Sequence, residues 1–238
     1  MSDTGKFLEY EQGGAVFEPY FVHPGDGDRP LVLVCHAWGG QHDFERSVAA
    51  DLAAKGYAAF AVDLYGKGKR GNSPDENTAL MTPLVSDRAR LQSRLAKSLE
   101  LASSQPGVLP SKTAALGFCF GGLCVLDIAR MGADVTAVVS FHGLLSAADN
   151  LPSPSVTAKV LALHGWDDPL ATPENVIDFG KEMDGAGADW QLYAYGGTVH
   201  AFTNPEANDK ASGNAYSPTV TRRAWAACDD FLAESFMD

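Results

Sequence analysis

The chain has 238 residues, 45% hydrophobic and 20% charged, with a formal net charge of −12. It is long enough to bury a core without disulfide staples and fits one large α/β domain over residues 1–238 better than two small ones. No basic stripe is present, so nucleic-acid binding, which needs clustered cations, is not expected, and the absence of a run of about 18 apolar residues argues against a membrane span.

The opening MSDTGKFLEY lacks the basic and apolar regions of an export signal. Four cysteines, Cys35, Cys119, Cys124 and Cys228, form neither a CxxC pair nor a zinc-type spacing with histidine. A cytoplasmic protein with no metal, no cofactor and no disulfide framework is the expectation.

In chain order, residues 17–22 read as an extended segment ended by the turn-forming HPGDGDRP. LVLVCHA, residues 31–37, is a continuous apolar run, as a strand buried on both faces should be. Residues 43–55 carry helical spacing closed by Gly56, and residues 57–64 form a second buried strand. After the loop YGKGKRGNSPDEN, a long helix is expected from Thr82, with Pro83 at its first position and Leu84, Leu91, Leu95 and Ala102 on its apolar stripe. Residues 112–118, 134–142, 158–165 and 188–195 read as further strands. Helices are expected over 120–131 and 173–183, and from Ser217-Pro218 onward. This alternation predicts βαβ units and a mostly parallel central sheet covered by helices on both faces.

In such sheets chemistry gathers just beyond the carboxyl ends of the strands. GFCFGG places Cys119 between a strand and a helix, the setting of a nucleophile elbow, with Gly117 and Gly121 allowing close packing around a strained residue. The helix N-terminus favours thiolate over thiol. Asp168 follows the strand in HGWDDP, and His200 follows the next in TVHAF. The order nucleophile, acid, histidine is that of α/β-hydrolases. His200 would take the thiol proton while the carboxylate fixes its tautomer. Asp167 is the competing acid; the restricted backbone before Pro169 favours Asp168.

CHAWGG follows the first buried strand, so the backbone amides of Ala37 and Phe120 are the expected oxyanion donors. His36 either tunes the thiol or braces its loop. Trp38, His142, Trp166 and Phe202 are candidates for the substrate pocket, whereas Phe118 suits the core better. Lys67, Lys69 and Arg70 form either a solvated turn or a contact for an anionic substrate.

CHAWGG, VDLYGKG, GFCFGG, HGWDDP and VHAF together resemble the dienelactone hydrolase family, and the likeness spans most of the chain. The resemblance implies the α/β-hydrolase fold, the triad Cys119, Asp168 and His200, and cofactor-free hydrolysis through an acyl-cysteine. Two departures stand out: the founding members carry a glutamate where this chain has His36, and a carboxylate-gripping arginine where it has Asn204. A small neutral ester or lactone is therefore the expected partner. Activated phosphotriesters are a side substrate on leaving-group grounds. The rivals are a thioesterase or acyltransferase using the same residues, and a non-catalytic binding protein on this fold.

Overall fold

A computed structural model describes residues 5–148 and 155–237; residues 1–4 of the N-terminal stretch read above lie outside them. The chain begins with short strands β1 (Lys6–Phe7), β2 (Tyr10–Gln12), β3 (Ala15–Phe17) and β4 (Tyr20–Val22). There follow β5 (Arg29–Cys35), α1 (Asp43–Ala54), β6 (Ala58–Ala61), α2 (Pro74–Val85), α3 (Arg88–Ser103), β7 (Val108–Phe118), α4 (Phe120–Arg130) and β8 (Ala137–Phe141). The last part holds β9 (Lys159–Gly165), α5 (Pro173–Gly185), β10 (Trp190–Tyr195), β11 (Asn208–Asp209), β12 (Asn214–Ala215) and α6 (Pro218–Met237).

Eight strands form one sheet in the order β1-β4-β6-β5-β7-β8-β9-β10. Every pairing from β6 to β10 is parallel; only β1 and β4 run against their neighbours. The architecture is the expected α/β-hydrolase one. Side-chain alternation along β5 explains the double covering. Leu31, Leu33 and Cys35 point into a core shared with Leu91 and Leu95 of α3 and Leu123 of α4. Val32 and Val34 point the other way, into a core shared with Leu52 of α1 and Leu232 of α6. Among the described residues no helix is long and apolar enough to cross a membrane.

Several boundaries differ from the expectation, three of them by a break or by four residues or more. The segment 17–22 breaks at Pro19, so β3 pairs with β2 in a separate hairpin while β4 joins the main sheet. The helix expected from Thr82 is two helices. The first starts at Pro74, capped by Ser73 Oγ accepting from Glu76 N at 3.3 Å. Pro83 thus lies inside its last turn. Asp87 starts the second, its Oδ1 accepting from Arg90 N at 3.0 Å. β7 also begins four residues early, and its register against β5 shifts between Pro30 and Leu31.

Buried Asp127 on α4 ties the helices on its face together. It accepts from Arg88 Nε at 2.7 Å, while Arg130 forks onto Glu182 of α5, with both contacts at 2.8 Å. The tightest contact lies at the other end of α4. A Cβ on Gly121 would lie 2.6 Å from the Cys35 carbonyl carbon and 2.8 Å from the His36 oxygen, and a Cβ on Gly117 would strike the Gly121 carbonyl. Both obstacles are backbone and cannot swing aside. Gly121→Ala should therefore lose about 1–3 kcal/mol or more, the range for overpacking. A urea unfolding midpoint equal to wild type would contradict this packing account.

Candidate active site

Cys119 is the residue between β7 and α4, and its backbone is left-handed, with φ 56° and ψ −115°. A non-glycine residue adopts this conformation only when its surroundings enforce it. Here its N–H donates to Phe141 O at 3.0 Å, and its carbonyl accepts from Gly122 N at 3.0 Å and Leu123 N at 3.3 Å. The peptide is thus clamped on both sides and the half-buried thiol is turned off the helix end. Phe120 is the first residue of α4, where a backbone N–H has no intrahelical acceptor.

His200 and Asp168 are both buried, and Nδ1–H of the histidine donates to Asp168 Oδ2 at 2.7 Å. The other carboxylate oxygen accepts from Leu170 N at 2.8 Å. Asp167, the sequence rival, is exposed and does not take part. His200 Nε2 is buried with no hydrogen bond of good geometry among the described residues, yet it couples strongly to Cys119. Burial opposes a charge on this ring, but the Cys119 charge and the Asp168 bond outweigh it and raise the pKa to about 10.

The two loops carrying this pair are clasped together. His200 N donates to Gly213 O at 2.9 Å, and Ala215 N returns a bond to His200 O at 3.1 Å. Gly213, at φ +83°, packs directly on Pro169, leaving no room for a side chain. Gly165, just before the acid loop, is similarly pressed, with a Cβ there 2.7 Å from the oxygens of Thr198 and Val199.

The remaining candidates divide sharply. His36 is fully buried and spends both ring nitrogens on backbone: Nδ1–H donates to Ala37 O at 2.7 Å, and Nε2 accepts from Leu64 N at 3.2 Å. Burial lowers its pKa to about 4, so it is a neutral brace between the loops after β5 and β6. It makes no hydrogen bond to the thiol. Phe202 is 0% exposed, so it is core and not pocket lining; it packs edge-on to His142 and Tyr195. Phe118 is core as expected, stacked on Phe141. Trp38 and Trp166 are the large exposed apolar side chains here, at 36% and 43%. They sit on the loops that carry Ala37 and Asp168.

His142 is buried with φ 37° and does not open to solvent. Its Nε2 is 2.7 Å from Thr203 Oγ1, and its ring stands edge-on to His200 with centroids 5.0 Å apart. Burial, then the proximity of His200, holds its pKa well below the usual value, so it stays neutral beside the charged ring. The Ala37 amide is not open either: it donates to Glu45 Oε1 at 3.3 Å. Sequence reading missed Glu45, Thr203 and Gly213; only Glu45 left a trace, as an acid in the first turn of α1.

The basic loop is a solvated turn at Lys67 and Lys69, both exposed. Arg70 is bound by the carbonyls of Gln41, Lys69 and Gly66, and Lys67 by Glu9 and Glu18. Asn204 is exposed and caps its own turn, its Oδ1 accepting from Glu206 N at 3.0 Å. A separate cleft of about 350 Å³ lies on the far side, between α1 and α6, next to Lys55 and Trp225.

The dienelactone hydrolase family model matches residues 17–236. The chain belongs to this family. Dienelactone hydrolase membership makes it an ester or lactone hydrolase. It is similar to the crystal structure of a dienelactone hydrolase-like promiscuous phosphotriesterase from metagenomic libraries, at 34% identity, TM-score 0.91 and 98% coverage of each chain. It is also 36% identical to an uncharacterized protein of Caenorhabditis elegans over 64% of this chain and 99% of that one. A Bradyrhizobium protein named a probable 2-oxo-3-(5-oxofuran-2-ylidene)propanoate lactonase is 29% identical, over 84% of this chain and 81% of its own.

The two neighbouring carboxylates offer a direct test. Asp168→Asn should lower ester turnover by about 10⁴, the cost of a wrongly held histidine tautomer. Asp167→Asn should leave it near wild type. Equal effects in p-nitrophenyl acetate assays would remove Asp168 from its place.

Proposed function

We propose that this dienelactone hydrolase cleaves small neutral carboxylic esters or lactones through an acyl-cysteine on Cys119, served by His200 and Asp168. The observation that carries the reading is the buried His200, its Nδ1–H tied at 2.7 Å to buried Asp168, beside the strained elbow residue Cys119. An imidazole beside a thiol on a helix N-terminus can take its proton and leave a thiolate to attack.

The Cys119 thiolate adds to the substrate carbonyl carbon, and the carbonyl electron pair moves to oxygen, where the Phe120 amide at the first turn of α4 receives it. Collapse of the tetrahedral species breaks the ester C–O bond, and the His200 imidazolium gives its proton to the departing oxygen. The now neutral imidazole takes a proton from water, whose oxygen attacks the thioester. The carbon–sulfur bond breaks, and the thiolate leaves beside the restored imidazolium. Asp168 holds one tautomer throughout.

Neutral substrates are favoured because Lys67 and Arg70, two of the three cations on the loop after β6, are already satisfied. Arg70 and Lys67 are consumed by backbone carbonyls and carboxylates, and Asn204 stands where the family's arginine would grip an anion. Trp38 and Trp166 supply exposed apolar surface beside the attacking sulfur's loops. Activated phosphotriesters are a second substrate class, supported by the likeness to the promiscuous phosphotriesterase. Attack at phosphorus expels the aryloxide, and the phosphorus–sulfur bond is then cut by water with the thiolate leaving.

Cys119→Ala at matched folding should abolish p-nitrophenyl acetate turnover, and mass spectrometry of quenched wild type should show one acetyl group on the peptide bearing Cys119. Retained turnover would sink the reading. Sustained nitrophenol release from paraoxon is expected, and stable one-to-one phosphorylation would exclude the second class. Products formed with a competing alcohol or thiol acceptor should remain the free acid, against an acyltransferase.

The pH dependence follows from the sign of the His200 shift. A folded pKa raised from 6.5 to about 10 means the charged ring stabilises the fold fully below 6.5, and that contribution is lost as pH rises through about 10. The high-pH limb of kcat/KM should fall over that upper range, after subtraction of the blank rate. A limb near 6.5 would show an unpaired histidine.

A further inference from the structure

The sulfur and its base sit on separate parts of the chain, Cys119 ahead of β9 and His200 in the loop after β10. Apart from the reacting pair itself, one hydrogen bond among the described residues joins the segments ahead of β9 to the loop 196–216. His142 Nε2 lies 2.7 Å from Thr203 Oγ1. His142 directly follows Phe141, whose carbonyl accepts from Cys119 N at 3.0 Å, and its own N–H donates to Leu163 O at 2.8 Å. Thr203 stands three residues beyond His200. The bond therefore runs from the strand end that fixes the backbone of the sulfur to the turn that carries the imidazole.

That turn needs a hold. Ala201, between His200 and Thr203, is left-handed at φ 56°, a conformation kept only where the surroundings enforce it. His142 is stiff enough to supply one. Its backbone is itself held at φ 37°, and its ring stands edge-on to both His200 and Phe202, each with centroids 5.0 Å apart. His142 and Thr203 are 2% and 3% exposed, so water does not compete for their bond.

We infer that His142 and Thr203 are positioning residues whose hydrogen bond sets the separation of Cys119 and His200. This rests on the acyl-cysteine reading above. Loss of the bond frees the turn to shift, and a misplacement of about 1 Å costs on the order of 10²-fold in rate. The strut brings no charge of its own, because burial keeps His142 neutral. The titratable groups facing it are His200 and His164. His200 in turn faces Cys119 and Asp168.

The test separates spacing from stability. Thr203→Val keeps the shape and removes the hydroxyl, Thr203→Ser keeps the hydroxyl, and His142→Phe keeps a ring but removes its nitrogens. Thr203→Val and His142→Phe should lower kcat for p-nitrophenyl acetate about 10- to 100-fold with KM unchanged. The pH midpoint of iodoacetamide alkylation, in which the thiolate displaces iodide, should rise toward about 8.5, the value of a free cysteine. It is read by mass spectrometry on the peptide bearing Cys119. Thr203→Ser should keep both quantities near wild type, and the double variant should be no slower than either single one, since each removes the same bond. A merely structural bond would lower the melting temperature and leave kcat per folded molecule and the midpoint unchanged. That result in Thr203→Val would overturn the inference, as would an equal loss in Thr203→Ser. If Thr203→Val does not fold, the double variant, which leaves no buried ring nitrogen unpaired, takes its place. Failure of the underlying reading appears separately: iodoacetamide on wild-type Cys119 would then leave esterase activity intact.

Discussion

The approach of Gly121 to the Cys35 and His36 carbonyls carries much of the site. It brings the first turn of α4 against the end of β5, so that the loop after β5 and the elbow share one small volume. Any side chain at Gly121 would push the helix away from that loop and separate the Phe120 amide from the Ala37 amide. The left-handed backbone of Cys119 depends on the same closeness, because the strain is held by its N–H donating to the Phe141 carbonyl on one side and its own carbonyl accepting from Gly122 N on the other. Packing thus sets the geometry before any charge is involved.

Charge is then distributed by partner, not by burial. His36, His142, His164 and His200 are all buried, at 2% exposure or less. Desolvation alone would leave all four neutral, and three of them are pushed toward neutrality. His200 differs in having a carboxylate at 2.7 Å and a coupled sulfur. The neutral rings are still useful. His36 ties two loops through its two nitrogens, and His142 forms an edge-on wall behind the charged ring. A neutral wall avoids a second positive charge next to the first.

The parts of this arrangement written in contiguous residues were legible in the sequence. GFCFGG announces a sharp strand-to-helix turn because no other reason would crowd glycines around a cysteine, and the acid and histidine loops follow apolar strands at the expected ends. What depended on distant contacts was not legible. Phe202 reads equally well as pocket or core, and only the packing of His142 and Tyr195 around it decides for core. Arg70 looks like a substrate cation until the Gln41 carbonyl is seen to occupy it. Pro83 imitates a helix start because proline suits a first turn; Ser73-Pro74 carries the same signal and is the true start of that helix. Glu45 was invisible because an acid in a first helical turn has an ordinary electrostatic explanation.

The clasp of Gly213 on Pro169 divides the molecule into two assemblies. The described segments before β9 carry Cys119 and the loops beside it; those after it carry Asp168 and His200. The second assembly is closed on itself by the bonds between His200, Gly213 and Ala215, none of which involves position 119. The backbone that holds the imidazole and the carboxylate therefore stands without help from the elbow, even though the charge on the ring answers to the sulfur. A fold built this way can change the residue at the elbow, or reshape the loop after β5, while Asp168 and His200 keep their hydrogen bond.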